Sequence, residues 1–539
     1  MEDTIENLTK SNRRTWPERL GLTIGLTLLF IVALLWGLRG VTPARADPGT
    51  LYVDGATGSD TTDCTNPAAP CATIGYALTQ AGNGDEILVA AGTYTETLDV
   101  FGNPLTLRGG YTVSGTVWLP HSGETVVDAD GADSPVFNID PENNVTVEGF
   151  TVQGANNISG EGGGFFINAA TVVISDTVIR DNSTNRTGGG VWVENSVGAE
   201  NVKVSLVNST VVSNNAANGS AGLMVGDGDP IQVTIENTVF TGNTGGDVLT
   251  LDNQPFEIVG GQVSSNTVTG DNAINIGSSG SGTISGTEIV GNASGAIANG
   301  GILTVTGSTI EDHSGADWAV WSDNRLVMDG CTIRGNGTFG IVHIRTGHAE
   351  IRNTMVVDND NAAINGDIIG IGDEPSTTPA VEIVNVLLAD NDSARPTVNG
   401  SSPNGSIMLM NVTVANNRVS SFPILAGDGI WTVTNTIVWG NTAPGDMLGL
   451  GTFSVSYSDI EGGWTGTGNL DADPLFVDAA NGDYHLGVGS PCIDKGTSSV
   501  GAPTHDIEGT PRDATPDMGA YEWVGFRIFL PLTLRNFGP

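Results

Sequence analysis

VTIENTVFTGN, residues 233–243, decides the fold, because variants of it recur along most of the chain. LVMDGCTIRGN (326–336), AEIRNTMVVDN (349–359) and WTVTNTIVWGN (431–441) repeat its pattern. Each ends on a turn position, most often Asn. These positions are Ala155, Asn182, Asn214, Asn243, Asn266, Asn292, His313, Asn336, Asn359, Asn391, Asn417, Asn441 and Gly463, spaced 21 to 32 residues apart. Three residues before the turn stands an apolar residue, such as Phe240, Ile333 or Val438. Eight before it stands another, such as Ile235, Met328 or Val433. Six before it comes Asn, Asp or Gly, as at Asn237, Asp176 and Gly330. Only these residue types enter left-handed backbone cheaply. Each repeat reads as a short strand, a left-handed bend, a second short strand and an Asn-led turn.

Repeats of this length built from short strands predict an all-β, single-stranded parallel β-helix, a solenoid whose apolar ladders stack into the core. The turn asparagines can stack as an amide ladder. Composition agrees. The chain has 539 residues, 76 of them Gly, and only 15% are charged. It is poor in the Lys and Glu that long helices use, and too apolar for disorder. A solenoid needs covered ends. Residues 68–82 read as a short N-terminal helical cap, with Ile74, Ala77 and Leu78 on one face and Gly82 at its end. First coils are expected at Glu86–Ala90, Pro104–Leu107, Gly115–Leu119 and Val136–Ile139.

Twenty basic against 60 acidic residues give a net charge of −40, which argues against nucleic acid and anionic membrane surfaces as partners. Residues 1–46 hold a basic segment, the apolar run Leu20–Leu38 and Ala44-Arg45-Ala46, the features of a signal peptide. An uncleaved signal anchor is the alternative. Either places the remainder outside the cytoplasm, with the membrane reached only through this segment. Cys64 and Cys71 flank a Pro-rich loop that a disulfide could close in an oxidising compartment. Cys331, inside a repeat strand, and the distant Cys492 are expected to be unpaired.

Several motifs resemble known groups. Leu51-Tyr-Val-Asp-Gly55, Pro70-Cys-Ala-Thr-Ile-Gly-Tyr-Ala-Leu78 and Ala91-Gly-Thr-Tyr-Thr-Glu96 resemble the first coil of exported bacterial right-handed β-helix proteins of the pectin-lyase-like superfamily. Phe240-Thr-Gly-Asn243 and Gly188-Gly-Gly-Val-Trp-Val193 are similar to repeats of polymorphic outer-membrane proteins. Asp473-Pro-Leu-Phe-Val-Asp478, Gly482-Asp-Tyr-His-Leu486, Ser490-Pro-Cys-Ile-Asp-Lys-Gly496, Arg512 and Asp517-Met-Gly-Ala-Tyr-Glu522 resemble a choice-of-anchor Q domain. The resemblance implies a right-handed helix and a surface location. It divides the chain into an export segment (1–46), a cap with first coils (47–140), repeats (141–463), an anchor-type C-terminal cap domain (464–525) and a tail (526–539).

Activity is less legible. The Asn-Thr-Asp and Gly-His-Gly signatures of hydrolases with this fold are absent, and Val320-Trp-Ser-Asp-Asn324 echoes a lyase motif without its His. Basic residues cluster once in the sequence: His313, Arg325, Arg334, His343, Arg345, His348 and Arg352. Anchor alignment stacks Glu311 on Arg334, Asp329 on Arg352 and Arg325 on His348. The first two stacks read as ion pairs between neighbouring coils. The functional alternative is a sugar patch with Trp318 and Trp321 as ligand-binding residues and His343 and Arg345 as catalytic candidates. Trp192, Trp431, Trp439 and Trp464 are further aromatics in or beside strands. Asp128, Asp130 and Asp133 alternate around a Gly as in part of a Ca²⁺ loop, with shorter echoes at Asp227–Asp229 and Asp358–Asp360. Solvated turn carboxylates are the plainer reading of all three, and no other cofactor is expected. The sequence favours a monomeric, secreted or cell-surface binding or adhesion protein, with a polysaccharide or cell-surface glycan as partner. A polysaccharide lyase or glycoside hydrolase is the alternative, and a structural surface-layer component a third reading.

Overall fold

The computed structural model describes residues 48–525, except 141–142, 227–230, 253, 271, 363–365, 373–377 and 499–500. Residues 1–46, expected to direct export, Asp227–Asp229 and the tail from Phe526 lie outside the described residues. The chain divides after Pro48 into two units, and the second is the β-helix.

One coil illustrates the rest. Gln232–Glu236 runs along the first sheet, bends at Asn237, continues as Val239–Thr241 in the second, turns, and reaches Leu249–Leu251 in the third. Every coil pairs in parallel with the next. Among the described residues the three sheets count 17, 15 and 13 strands. Register keeps like residues in line: Ile235 pairs with Ile258, Ile258 with Ile284 and Ile284 with Val305. These residues are buried. Apolar burial, at about 25 cal/mol per Å², is the main term holding the stack together.

The bends fall where the residue types require them. Asp176, Asn208, Asn237, Gly260, Gly330, Asn385 and Asn435 all have φ between 48° and 67°. A second left-handed residue stands one position before each turn Asn, as at Asp181, Gly242 and Gly335, and Asp312 stands likewise before His313. The bend therefore precedes the Asn, which frees its side chain to point inward. In the interior, Asn243 donates its N–H and its Nδ2 to Oδ1 of Asn266 at 2.9 and 3.1 Å, and Nδ2 also reaches Val211 O at 2.9 Å. Asn182, Asn214 and Asn266 repeat this set, as do Asn336, Asn359, Asn391 and Asn417. Buried amides are stable only when satisfied, and here each coil satisfies its neighbour.

A parallel hydroxyl ladder stands five residues before the turn. Thr177 N–H donates to Ser209 Oγ, and Ser209 N–H to Thr238 Oγ1. Cys331 occupies this corner position, buried beside Val305 O, instead of lying within a strand. Its thiol stands where other coils carry a hydroxyl.

At the N-terminal end the helix Ile74–Gln80 buries Ile74 and Ala77. Thr73 Oγ1 accepts the Tyr76 N–H, and the Glu96 carboxylate accepts those of Ile74 and Gly75, both at 2.9 Å. Cys64 and Cys71 form a disulfide. Val117–Leu119, expected as a coil, instead pairs antiparallel with Thr112–Ser114. The two-residue loop Gly115–Thr116 explains this, since Gly115 at φ +64° closes a hairpin.

The C-terminal segment does not stop at the end of the solenoid. After Asp459–Ile460 it forms the hairpin Phe476–Asp478 and Asp483–Leu486. It then lies back along the outer face of the second sheet. Tyr484, Ala520 and Tyr521 pack on Leu387, Ala389 and Ala415, while Leu486, Cys492 and Met518 pack on Ile437. Turn residues of the coils hold it: Asn385 Nδ2 donates to His505 O at 2.7 Å, and Asn411 Nδ2 to Asp517 O at 3.1 Å. Inside the segment, Arg512 and Glu522 pair at 3.0 Å with side chains 2% and 5% exposed. Arg512 also donates to Gly519 O, Ala520 O and Asn385 Oδ1. Cys492 is unpaired and donates to Asp459 Oδ2 at 3.2 Å.

Candidate functional site

The third sheet carries the site. Its outward row runs Asn275, Ala298, Trp321, His343, Gly370, Asn399, Ala426, one residue per coil. Three cavities follow one another along this face. The largest, about 760 Å³, is lined by Asn272, Asn275, Ser294, Asp317, Trp318 and Trp321 among others. The next, about 310 Å³, shares Trp318 and adds Phe339, His343, Asp367, Arg395 and Asn399. A third, about 240 Å³, shares Arg395, Asn399 and Ser401 and adds Phe422, Asp428 and Leu450. Shared walls set the three side by side across successive coils, as one interrupted groove.

Trp318 is the partition. Its ring stacks on His343 with centroids 4.4 Å apart and meets Phe339 edge-on at 5.6 Å. The following coils make room for it by carrying Gly. A Cβ at Gly340 would lie 2.1 Å from Cζ3 of Trp318, and one at Gly370 would lie 2.8 Å from Cη2. The indole therefore lies across the coils that follow its own, held from beneath by His343. Polar groups surround it. Asp317 Oδ1 accepts the Trp318 N–H at 2.8 Å, and Asn399 Nδ2 donates to both oxygens of Asp367 at 3.2 Å. Indole faces, amides and carboxylates at close quarters suit a polyhydroxylated ligand, with apolar ring faces stacking and hydroxyls bonding.

Trp318, Trp321 and His343 thus come together on one face. His343 is only 3% exposed, so it supports Trp318 and is not presented to the groove as a free base. Arg345 pairs with both oxygens of Asp323 at 3.1 Å, with its guanidinium 5.9 Å from the centre of the Trp321 ring.

The rest of the basic cluster disperses, because each coil has three faces and sequence neighbours turn onto different ones. Arg334 lies on the second sheet and pairs with Glu311 at 2.8 Å. Arg325, His348 and Arg352 lie on the first sheet and converge on Glu350 at 3.1, 3.1 and 2.7 Å. Asp329 and Arg352 are register partners but do not bond to each other as expected. Arg352 turns to Glu350 and Glu382, and Asp329 accepts Asn353 Nδ2 at 2.7 Å.

His313 is interior and replaces a ladder Asn. Its Nε2 faces Ile289 O at 3.0 Å and its Nδ1 faces Ser294 O at 3.1 Å. Burial lowers its pKa below the usual value, although both carbonyls favour the charged ring.

The candidate Ca²⁺ ligands do not converge. Asp128 accepts the Asp130 N–H and Gln153 Nε2 at 2.8 and 2.7 Å. Asp133 accepts the N–H groups of Ile158 and Ser159. Asp130 itself is a left-handed turn residue, as is Asp358. Among the described residues no group of three or more His, Cys, Asp or Glu could hold a metal ion. Of the other tryptophans, Trp431 is buried in the core, where it stacks on Phe453. Trp464 packs against that core and Trp439 beneath the C-terminal segment. Trp192 is part-exposed on the third sheet, in the strand Val191–Glu194.

Asp317, Asp367, Arg395 and Asn399 were not singled out by the sequence reading. Third-sheet strands follow loops of varying length, so no fixed offset from the turn Asn locates them. Gly340 and Gly370, bare positions beside Trp318, are the signal that points to this face.

A family model for a right-handed β-helix region matches residues 251–419. No curated protein matches the sequence. Solved structures similar to it include the pectate lyase Pel9A (16% identity, TM-score 0.22, 88% of this chain and 96% of that one). Another is a mannuronic acid specific family 6 polysaccharide lyase from human gut microbiota (14%, 0.33, 67% and 82%). A third is the GH136 lacto-N-biosidase of Eubacterium ramulus (11%, 0.30, 79% and 70%). Identities and scores this low carry no argument about activity. Among the described residues no helix is long and apolar enough to cross a membrane. By its three parallel ladders and the family model over its central coils, the chain is a right-handed parallel β-helix.

Proposed function

We propose that this is an exported or cell-surface protein that binds an extended polysaccharide along the third-sheet groove. The observation carrying this reading is the succession of three adjacent cavities along one face, the first two sharing Trp318 and the last two sharing Arg395, Asn399 and Ser401. A linear chain of sugars spans successive coils in a way that a small molecule does not. The Cys64–Cys71 disulfide supports export through residues 1–46, because such bonds persist in oxidising compartments. Resemblance of the C-terminal motifs to an anchor domain supports the surface location.

Tryptophan-fluorescence titration with soluble oligosaccharides tests the reading. Trp318→Ala is expected to weaken binding at least about tenfold, since stacked aromatics dominate such contacts. Retained affinity in Trp318→Ala, with the variant still folded, would overturn it. Hydrolysis is the second reading, because Asp317 and Asp367 line neighbouring parts of one groove and glycoside hydrolysis uses paired carboxylates. Release of reducing ends from a bound glycan would favour it.

A further inference from the structure

We infer that the groove selects neutral glycans and rejects polyuronates, an inference that rests on the glycan-binding reading and deepens it. The lining supplies the argument. Asp317 stands in the largest cavity, Asp367 in the middle one and Asp428 in the last. Arg395 is the single Lys or Arg among the described lining residues of the three cavities. The formal charge of the groove is negative even with His343 protonated. Arg345, whose guanidinium lies over Trp321, is paired with Asp323.

A uronate polymer brings one carboxylate per sugar. Laid along the coils, it would set like charges against each acidic position, in a cleft that focuses the field. The long-range field points the same way, since the whole chain carries a net charge of −40. Neutral sugars meet no such penalty. The amides of Asn272, Asn275 and Asn399 offer donors and acceptors matched to hydroxyl groups. Asp317 and Asp367 can accept hydroxyl donors from the same ligand.

The test compares cellohexaose, xylohexaose and mannohexaose with hexagalacturonate and a mannuronate hexamer, by tryptophan fluorescence at low and high salt. At least one neutral oligomer is expected to bind, with both acidic ones weaker and gaining as salt screens the repulsion. In the double variant Asp317→Asn, Asp367→Asn, acidic binding at low salt is expected to rise about tenfold relative to neutral binding. Melting curves confirm that this variant folds. Equal or tighter binding of either uronate by the unaltered protein would overturn the selectivity and leave the groove a glycan site. A double variant with unchanged preference would also overturn it, by showing that these carboxylates do not set selectivity. If no oligomer of either class binds, the glycan-binding reading fails and the inference falls with it.

Discussion

The outer face of the second sheet changes character along the solenoid. In the middle coils one outward row runs Glu288, Thr309, Thr332 and Met355. Beyond it the same row becomes Leu387, Thr413 and Ile437, and the row beside it turns from Glu311 and Arg334 to Ala389 and Ala415. Met355 is exposed, whereas Leu387, Ala389, Thr413, Ala415 and Ile437 are buried. The coil backbone is the same in both regions. What differs is the C-terminal segment, which covers only the second. A solenoid can thus carry a docked strap by changing a few outward residues while its inward ladders continue unaltered.

The strap carries a buried ion pair, Arg512–Glu522, and the largest effect is expected there. Arg512→Ala leaves Glu522 buried without its cation and removes the bonds to Gly519, Ala520 and Asn385. Breaking a buried pair in this way costs about 3–5 kcal/mol. Hydrogen exchange should then accelerate in Leu387–Ala389 and Thr413–Ala415 and stay unchanged in Val239–Thr241. Equal acceleration in both regions would show that the two do not behave as separate units.

A matched pair of substitutions sharpens the contrast. Asn237→Ala and Asn385→Ala both place Ala in a left-handed bend, at φ 48° and 54°, a strain of about 1–2 kcal/mol. Asn385 also holds His505 O at 2.7 Å and Arg512 at 3.1 Å. Asn385→Ala should therefore lower stability in urea by about 1–3 kcal/mol more than Asn237→Ala. Equal losses would mean that the strap adds nothing at this position.

The smallest expected effect is on pH. Burial pushes the Asp517 carboxyl up to about 6. A carboxyl raised above its unfolded value of about 3.9 binds more protons in the folded state between those limits. Stability of the strap should therefore fall as pH rises from about 4 to about 6. Protease protection of the C-terminal segment is expected to be greater at pH 5 than at pH 7, by about 1–2 kcal/mol. Asp517→Asn should flatten this dependence.

The inward ladders were legible because they recur at fixed offsets from the turn Asn. Ile235, Phe240 and Asn243 each stand for a whole inward column, and the exposed Asn237 for the column of left-handed bends. The C-terminal motifs were legible but not the strap they form, since its docking depends on contacts more than a hundred residues apart in sequence, such as Arg512 with Asn385. Leu387, Ala389, Ala415 and Ile437, apolar where earlier coils carry Thr, Glu or Arg, were the available sign. Of the groove, the aromatics were legible as residue types. Asp317, Asp367 and Asn399 were not, because the loops before the third-sheet strands vary while the ladders do not. Asp128, Asp130 and Asp133 stand in turns, as the plainer reading had them: Asp128 and Asp133 accept backbone N–H groups and Asp130 is left-handed.

The amide column has a direction. Each ladder Asn passes its hydrogen bonds to the next coil in the same sense, so the side-chain dipoles from Asn182 to Asn292 align, as do those from Asn336 to Asn441. Between them stands His313, whose ring has no carbonyl to receive the amide of Asn292. Hydrogen-bonded chains polarise one another along their length, and at His313 the amide-to-amide relay is interrupted, leaving two aligned stacks. The coil that carries this interruption also carries Trp318, so among the described residues the groove's partition sits at the seam between the two columns.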